Sequence, residues 1–278
     1  MNGPFSIFLR NRAAVGACLC LIVIAGLALA ASLFYPHSPW KMVGAPFLPP
    51  MEGGFLLGTD MLGRDIAAGL VYGARVSLMI GMVSTVIALV IGIGIGAFAG
   101  YFGGLVDDLL MRLTEVFQTI PSLIFAIVLV AIMGPSINSI VLAISVVSWP
   151  PVARLVRAEF LSLRQREYVE ASRVLGLPSW RIMLTDILPN AMAPVIVTAT
   201  LMVATAILME SGLSFLGLGD PDMISWGYQI GAARTMLRTA WWMSFFPGIA
   251  IIITVLCLNL VGEGLSDALN PNLRRRKK

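Results

Sequence analysis

Six runs of roughly 20 apolar residues, bounded by charge, glycine or proline, dominate the sequence and leave it few ways to fold. A helix crossing a hydrocarbon core of ~30 Å needs about 20 such residues. The runs cover residues 13–34, 76–100, 113–133, 137–153, 190–216 and 243–265, the fourth being short and closed by Trp149, Pro150 and Pro151. With 58% of 278 residues hydrophobic and 12% charged, one soluble core could not hide this surface. The pattern predicts an all-α membrane protein with six transmembrane helices.

An even number of spans puts both termini on one side, and Lys and Arg collect on the cytoplasmic side. Fourteen fall on the side of the termini, including Arg10, Arg12, Arg112, six arginines from Arg154 to Arg181 and the closing run from Arg274 to Lys278. Five fall on the other: Lys41, Arg64, Arg75, Arg234 and Arg238. Both termini are therefore expected in the cytoplasm. A basic start followed by Ala28-Leu29-Ala30 resembles a signal peptide, but the apolar run is longer than a signal core and its retention completes the charge pattern. The net charge of +4 is dispersed between apolar runs, which excludes a nucleic-acid face; the C-terminal run reads as a topology anchor on anionic lipid.

Little in the chain suggests chemistry. No Gly-x-x-x-x-Gly-Lys-Ser/Thr occurs, and the lysines are Lys41, Lys277 and Lys278, so ATP hydrolysis by this chain is not expected. Cys18, Cys20 and Cys257 sit in apolar runs, and His37 stands alone in a loop, so no metal site is expected. An ion-coupled secondary transporter would need ionisable residues deep in the membrane. Glu115 and Glu263 lie near cytoplasmic ends; Glu210 lies deeper, toward the outer end of span five, and reads either as a structural carboxylate facing other helices or as part of a substrate pathway. Gly92, Gly96 and Gly100 share one face of span two and predict close helix approach.

The longest cytoplasmic loop, residues 154–189, is patterned. Leu161, Tyr168, Ala171, Ser172 and Leu175 fall near one helical face, Arg164, Arg166, Glu167, Glu170 and Arg173 surround it, and Gly176 and Pro178 stop it. Such a helix lies on anionic lipid or docks in a groove on a cytoplasmic partner. On the opposite side, Asp60, Arg64 and Asp65 read either as turn and helix-start chemistry, with Asp60 capping and pairing to Arg64, or as a functional part of this exterior segment.

Glu170-Ala171-Ser172, Gly176 six positions on, and Leu188-Pro189 resemble the EAA loop of permeases in binding-protein-dependent ABC importers, with Ser172 and Asp186 standing where that pattern has alanine and isoleucine. The resemblance extends through Leu57-Gly58-Thr59-Asp60, Gly63-Arg64-Asp65, Tyr72-Gly73-Ala74-Arg75, Gly100-Tyr101-Phe102-Gly103-Gly104 with Asp107, Pro121-Ser122, residues 213–219, Trp226-Gly227 and Phe246-Pro247-Gly248. Covering nearly the whole chain, it is similar to the C-type permease of the dipeptide, oligopeptide and nickel importer family.

That resemblance implies a type I ABC importer permease (MetI-like) fold with a cytoplasmic coupling helix, in the bacterial inner membrane. It implies three segments: residues 1–72 as an extension with the first span and an extracytoplasmic loop, 73–265 as a five-helix permease core containing the loop 154–189, and 266–278 as a basic tail. Glu170, Ala171, Ser172, Gly176, Leu188 and Pro189 would couple the chain to an ATPase, and the exterior segment with Asp60, Arg64 and Asp65 would gate the pore or receive a substrate-loaded binding protein. The implied partners are a homologous permease, two ATP-binding subunits carrying ATP and Mg²⁺, an extracytoplasmic substrate-binding protein and membrane lipid, with no cofactor on this chain. Peptide is the expected cargo, with nickel or a metal chelate as the alternative.

Overall fold

The structure, a computed structural model, describes residues 4–269. An N-terminal helix α1 (Pro4–Arg10) leads into α2 (Arg12–Leu29), whose first turn is capped by the Asn11 side chain, and a short α3 (Ala31–Phe34). An irregular segment runs to α4 (Ile66–Phe102), followed by α5 (Gly104–Thr119), α6 (Ser122–Met133) and α7 (Ile137–Leu163). Then come α8 (Glu167–Val174), α9 (Ser179–Arg181), a π-helical turn over Ile182–Ile187, α10 (Leu188–Leu213) and a second π-helical turn over Ser214–Leu218. Helices α11 (Trp226–Ala233) and α12 (Trp242–Leu269) complete the described chain.

Among the described residues, five helices are long and apolar enough to cross a membrane, and α5 with α6 makes a sixth candidate bent by 83°. The expected straight third span is thus broken. Pro121 has no N–H to donate and pushes Ile120 out of helical geometry, to φ −95° and ψ 130°. Packing shows where this broken pair leads. A methyl group at Gly92 would meet Val152 Cβ at 2.6 Å, one at Gly96 would meet Val156 Cβ at 2.8 Å, and one at Gly100 would meet Phe160 Cβ at 2.6 Å. Both series ascend, so α4 and α7 run parallel, and the chain between them returns through α5 and α6. The three glycines form the seam of that contact, as their spacing predicts.

Helix α10 is antiparallel to α4, with Gly81 beside Val203 and Ile207 and Gly73 beside Ser225 and Trp226. Helix α12 folds back along α10, placing Gly262 against Thr200, and α2 runs against α12 with Ala14 at Gly264. The start of α2, the ends of α4, α7 and α12, and all of α8 therefore share one end of the bundle. One apolar cluster joins Ile80, Val130, Ile140, Ile144 and Leu213, and a second joins Val152, Val156, Phe160, Ile182 and Ile187 nearer α8.

Three expected boundaries move. The division at 72/73 falls inside α4, which starts at Ile66 because Asp65 accepts a hydrogen bond from Ala67 N at 2.8 Å and caps it. The fourth span passes through Pro150 and Pro151 to Leu163, so the first ten residues assigned to the loop 154–189 are helix; neighbouring helices make such prolines tolerable in membrane spans. The fifth helical path begins at Ser179, well before residue 190. Most of the expected tail, with its basic run Arg274 to Lys278, lies outside the described residues.

Candidate functional site

Helix α8 is short because its ends are fixed. Glu167 and Glu170 lie in its first turn and Arg173 in its last, matching the helix dipole. Gly176 at φ +74° accepts the left-handed turn that stops it, with Gly176 N bonded to Arg173 O at 2.9 Å and Leu177 N to Ser172 O at 3.2 Å, the paired bonds of a Schellman cap. One face anchors the helix to its own chain: Val169 is fully buried in the cluster containing Phe160, Ile182 and Ile187. The sequence pattern placed Leu161, Tyr168, Ala171 and Leu175 on the apolar face. Instead Leu161 belongs to α7, and Tyr168, Ala171, Val174 and Leu175 are exposed. Val174 is 84% exposed, Leu175 79% and, on the next turn of chain, Trp180 65%, which makes an apolar surface without a partner in this chain.

The structure brings Glu170, Ala171, Ser172 and Gly176 together on α8 and its cap. Leu188 packs into the cluster that holds Val169, while Pro189 is exposed in the first turn of α10. Of the two departures from the EAA pattern, Ser172 donates back to the Tyr168 carbonyl at 3.1 Å and Asp186 accepts from the neighbouring Thr185 hydroxyl at 2.8 Å. Arginines hold this end of the bundle together. Arg157 of α7 makes a bidentate pair with Asp107 of α5 at 2.5 and 2.6 Å. Arg164 donates to the carbonyls of Gly100 and Tyr101 at the end of α4, and Arg173 of α8 stacks over the Tyr101 ring at 5.5 Å.

At the other end, Asp60 accepts hydrogen bonds from the backbone of Leu62 and Arg64, both at 2.8 Å, closing its own turn. Arg64 lies 4.0 Å from Asp60, too far for a hydrogen bond, and stacks over Trp40 at 4.7 Å. The cap expected of Asp60 is supplied by Asp65. Burial raises the Asp65 carboxyl above the usual carboxylate range against the pull of the Ala67 and Ala68 amides, and burial followed by the Asp65 charge raises the Tyr35 phenol. The motif glycines here serve turns: Gly63 adopts φ +73°, and a methyl group on it would collide with the Gly44 carbonyl. Arg75 donates to the carbonyls of Ala28 and Leu29 and closes α2.

Glu210 lies inside this end, 1% exposed. It accepts from Ser225 at 2.6 Å and Ser214 at 2.8 Å, with Ser77 and Ser211 at 3.5 Å, while Ser77 Oγ also receives Trp226 N. The serine hydroxyls supply what a cation would otherwise provide, and the cage ties α10 to α4 and α11. Glu210 is thus buried and hydrogen-bonded by serines of three helices and their flanks, and it lines none of the described cavities.

A different group faces open space. At the α5–α6 break, α5, α6, α7 and α10 enclose a groove of about 570 Å³ lined by Gln118, Ser122, Ser148, Arg154, Thr198 and Thr205 among apolar side chains. None of these was singled out in the sequence as a pathway residue. The legible signal was two threonines seven residues apart on one helix, beside a Pro121 break and a Pro150-Pro151 pair.

Residues 92–275 match the family described as "Binding-protein-dependent transport system inner membrane component". The chain belongs to that family. Among relatives of this inner membrane component, the dipeptide transport system permease protein DppC of Escherichia coli K12 is 44% identical over 275 residues, covering 96% of this chain and 92% of the relative. The di/tripeptide permease DppC of Pseudomonas aeruginosa UCBPP-PA14 is 43% identical (96% and 90% covered), and the oligopeptide permease OppC of E. coli K12 is 41% identical (96% and 89%). The fold resembles a chain of the inward-facing MetNI methionine ABC transporter, at TM-score 0.60 and 20% identity over 73% of this chain and 96% of that one. It also resembles one from an amino acid ABC transporter, at TM-score 0.54 and 16% identity over 75% and 94%. The protein is accordingly a permease subunit of an ATP-driven importer, with a MetI-like fold in the inner membrane, working with a binding protein and with an ATPase that is a separate subunit.

Proposed function

We propose that this permease forms half of a peptide-conducting pathway and takes its drive through α8. The peptide reading is supported by the three relatives above, which are named for dipeptide, di/tripeptide and oligopeptide transport. The other half is a homologous permease, and two ATP-binding subunits, holding ATP and Mg²⁺, seat the exposed surface of Tyr168, Val174, Leu175 and Trp180. The observation that carries this reading is that Val169 is the one buried residue of α8 and that the helix turns its remaining apolar side chains outward.

The end bearing α8 faces the cytoplasm, as do both termini, because the arginines from Arg154 to Arg181 collect there. The segment with Asp60, Arg64 and Asp65 then faces outward, where a substrate-binding protein docks. Glu170, Ala171, Ser172 and Gly176 transmit the closure of the ATPase pair, with Leu188-Pro189 starting the helix that receives it.

A cysteine at position 170 in the assembled transporter, crosslinked to the ATPase in membranes, tests the contact. Glu170→Lys should lower peptide uptake at least tenfold at unchanged membrane content. Normal uptake by that variant, together with no crosslink, would overturn the assignment.

A further inference from the structure

The groove at the α5–α6 break is the largest polar-lined cavity described in the chain, and its walls have a consistent chemistry. Arg154 is exposed within it, and among the described residues neither a hydrogen bond nor an ion pair engages its guanidinium, unlike those of Arg157 on the same helix and Arg164 just past its end. No carboxylate lines the groove. An unpaired guanidinium in a cleft walled by low-dielectric side chains attracts an anion, and its planar fork fits a carboxylate.

The remaining polar groups suit a peptide backbone. Thr198 and Thr205 spend their hydroxyl protons on the carbonyls of Pro194 and Leu201 at 2.9 Å, leaving oxygen lone pairs to accept from N–H groups. Gln118, Ser122 and Ser148 retain donors. Pro151 has no N–H for the carbonyl of Val147, which lies four residues earlier in α7 and lines the same groove. That carbonyl is an acceptor for an amine or amide. From Val147 to Arg154 is seven helical residues, about 10 Å along the axis, and an extended peptide of three residues spans about 10 Å. Phe117, Met202 and Met209 supply adaptable apolar surface for varied side chains.

We propose that this groove is the chain's own peptide subsite, with the C-terminal carboxylate of a short peptide held on Arg154 and its amino end near Val147. The assignment rests on the peptide reading given above and adds residues and an orientation to it. Because α7 runs from the outer end of the bundle toward α8, Arg154 lies deeper than Val147 along the inward path. The carboxylate leads and the amine follows.

The reconstituted transporter, with its binding protein and ATPase subunits, provides the test using radiolabelled Ala-Ala. R154Q should lower uptake at least tenfold and R154K should recover it to within threefold of the parent, because charge is what the carboxylate needs. Equal uptake by R154Q and the parent would overturn the subsite while leaving the peptide reading intact. Failure of the parent to move Ala-Ala, trialanine or tetra-alanine would instead remove the peptide reading and this subsite with it.

A second measurement avoids dependence on transport. With Arg154 present, Ser148→Cys should react several-fold faster with a small anionic methanethiosulfonate than with a cationic one, and trialanine should slow the reaction. No preference for the anionic reagent, or no protection by trialanine, would refute the proposal even if R154Q fails to assemble.

Discussion

Gly176 offers a test of why this loop holds its shape. Its φ of +74° is a conformation that side chains with a Cβ resist, yet a methyl group built there meets no atom within 4 Å. The cost of substitution is therefore conformational and not steric within the chain. An L-residue in the left-handed region costs roughly 1–2 kcal/mol, with asparagine at the low end and a β-branched residue above alanine. At about 1.4 kcal/mol per factor of ten, Gly176→Ala should deplete the capped α8 roughly fivefold, and Gly176→Val by a factor on the order of thirty. Gly176→Asn should cost least although asparagine is larger than alanine. Two assays read this order: the initial rate of peptide uptake at matched transporter content, and amide exchange at Leu177, whose N–H donates to Ser172 O. The expected series is Gly, Asn, Ala, Val. An order following side-chain volume, with alanine better than asparagine, would refute the backbone argument and mean that a partner surface packs directly on this position.

The seam between α4 and α7 predicts the opposite behaviour at two glycines two residues apart. Gly96→Ala drives a methyl into the Ala153 carbonyl and the Val156 side chain and should cost about 1–3 kcal/mol, whereas Gly94→Ala meets nothing within 4 Å and should be neutral or stabilising by up to ~1 kcal/mol; thermal melting of the detergent-purified complex separates them, and similar melting of the two would contradict the parallel packing. Glu210→Ala strands the Ser214 and Ser225 hydroxyls in a buried site and should lower stability by about 3 kcal/mol or more. Glu210→Gln keeps the shape and should melt closer to the parent; equal loss by both variants would mean that the charge itself, and not the acceptor geometry, holds the cage.

The spans were legible because a bilayer imposes one length on every crossing, and the interruptions were harder because proline acts through its surroundings. Pro121 breaks a helix, since Ile120 is free to leave helical geometry. Pro150 and Pro151 do not, since α4 is zipped along the same stretch of α7 through Gly92 and Gly96. No local pattern distinguishes these cases. Helix α8 was legible from Glu170 and Gly176, but its buried face was misassigned because one fully buried Val169 counts for more than four apolar residues at helical spacing. The motifs around Asp60 and Asp65 do form a turn and a helix cap. Which aspartate caps which helix depended on Gly63 folding the chain over Gly44, a contact nineteen residues apart in sequence.

The arrangement of arginines bears on how a push at α8 would reach the groove. Arg173 rests on Tyr101, Arg164 grips the end of α4, and Arg157 clamps Asp107 of α5, so α8, α7, α4 and the start of α5 are joined at one end by charge-assisted contacts. The glycine seam continues the union of α4 and α7 toward the opposite end of the bundle. Helix α10 is joined to α8 differently, through a turn of π-helix over Ile182–Ile187, where the backbone ladder is wider and bends more readily. The groove has α7 on one wall and α10 on another. Under the coupling role proposed for α8, a displacement would carry α7 and α4 as a unit and be taken up at the π-helical turn, shifting Arg154 and Ser148 against Thr198 and Thr205. Arg154 stands on the moving wall one turn from Arg157, close enough to the clamp to follow it and free enough of partners to hold and release an anion as the walls part.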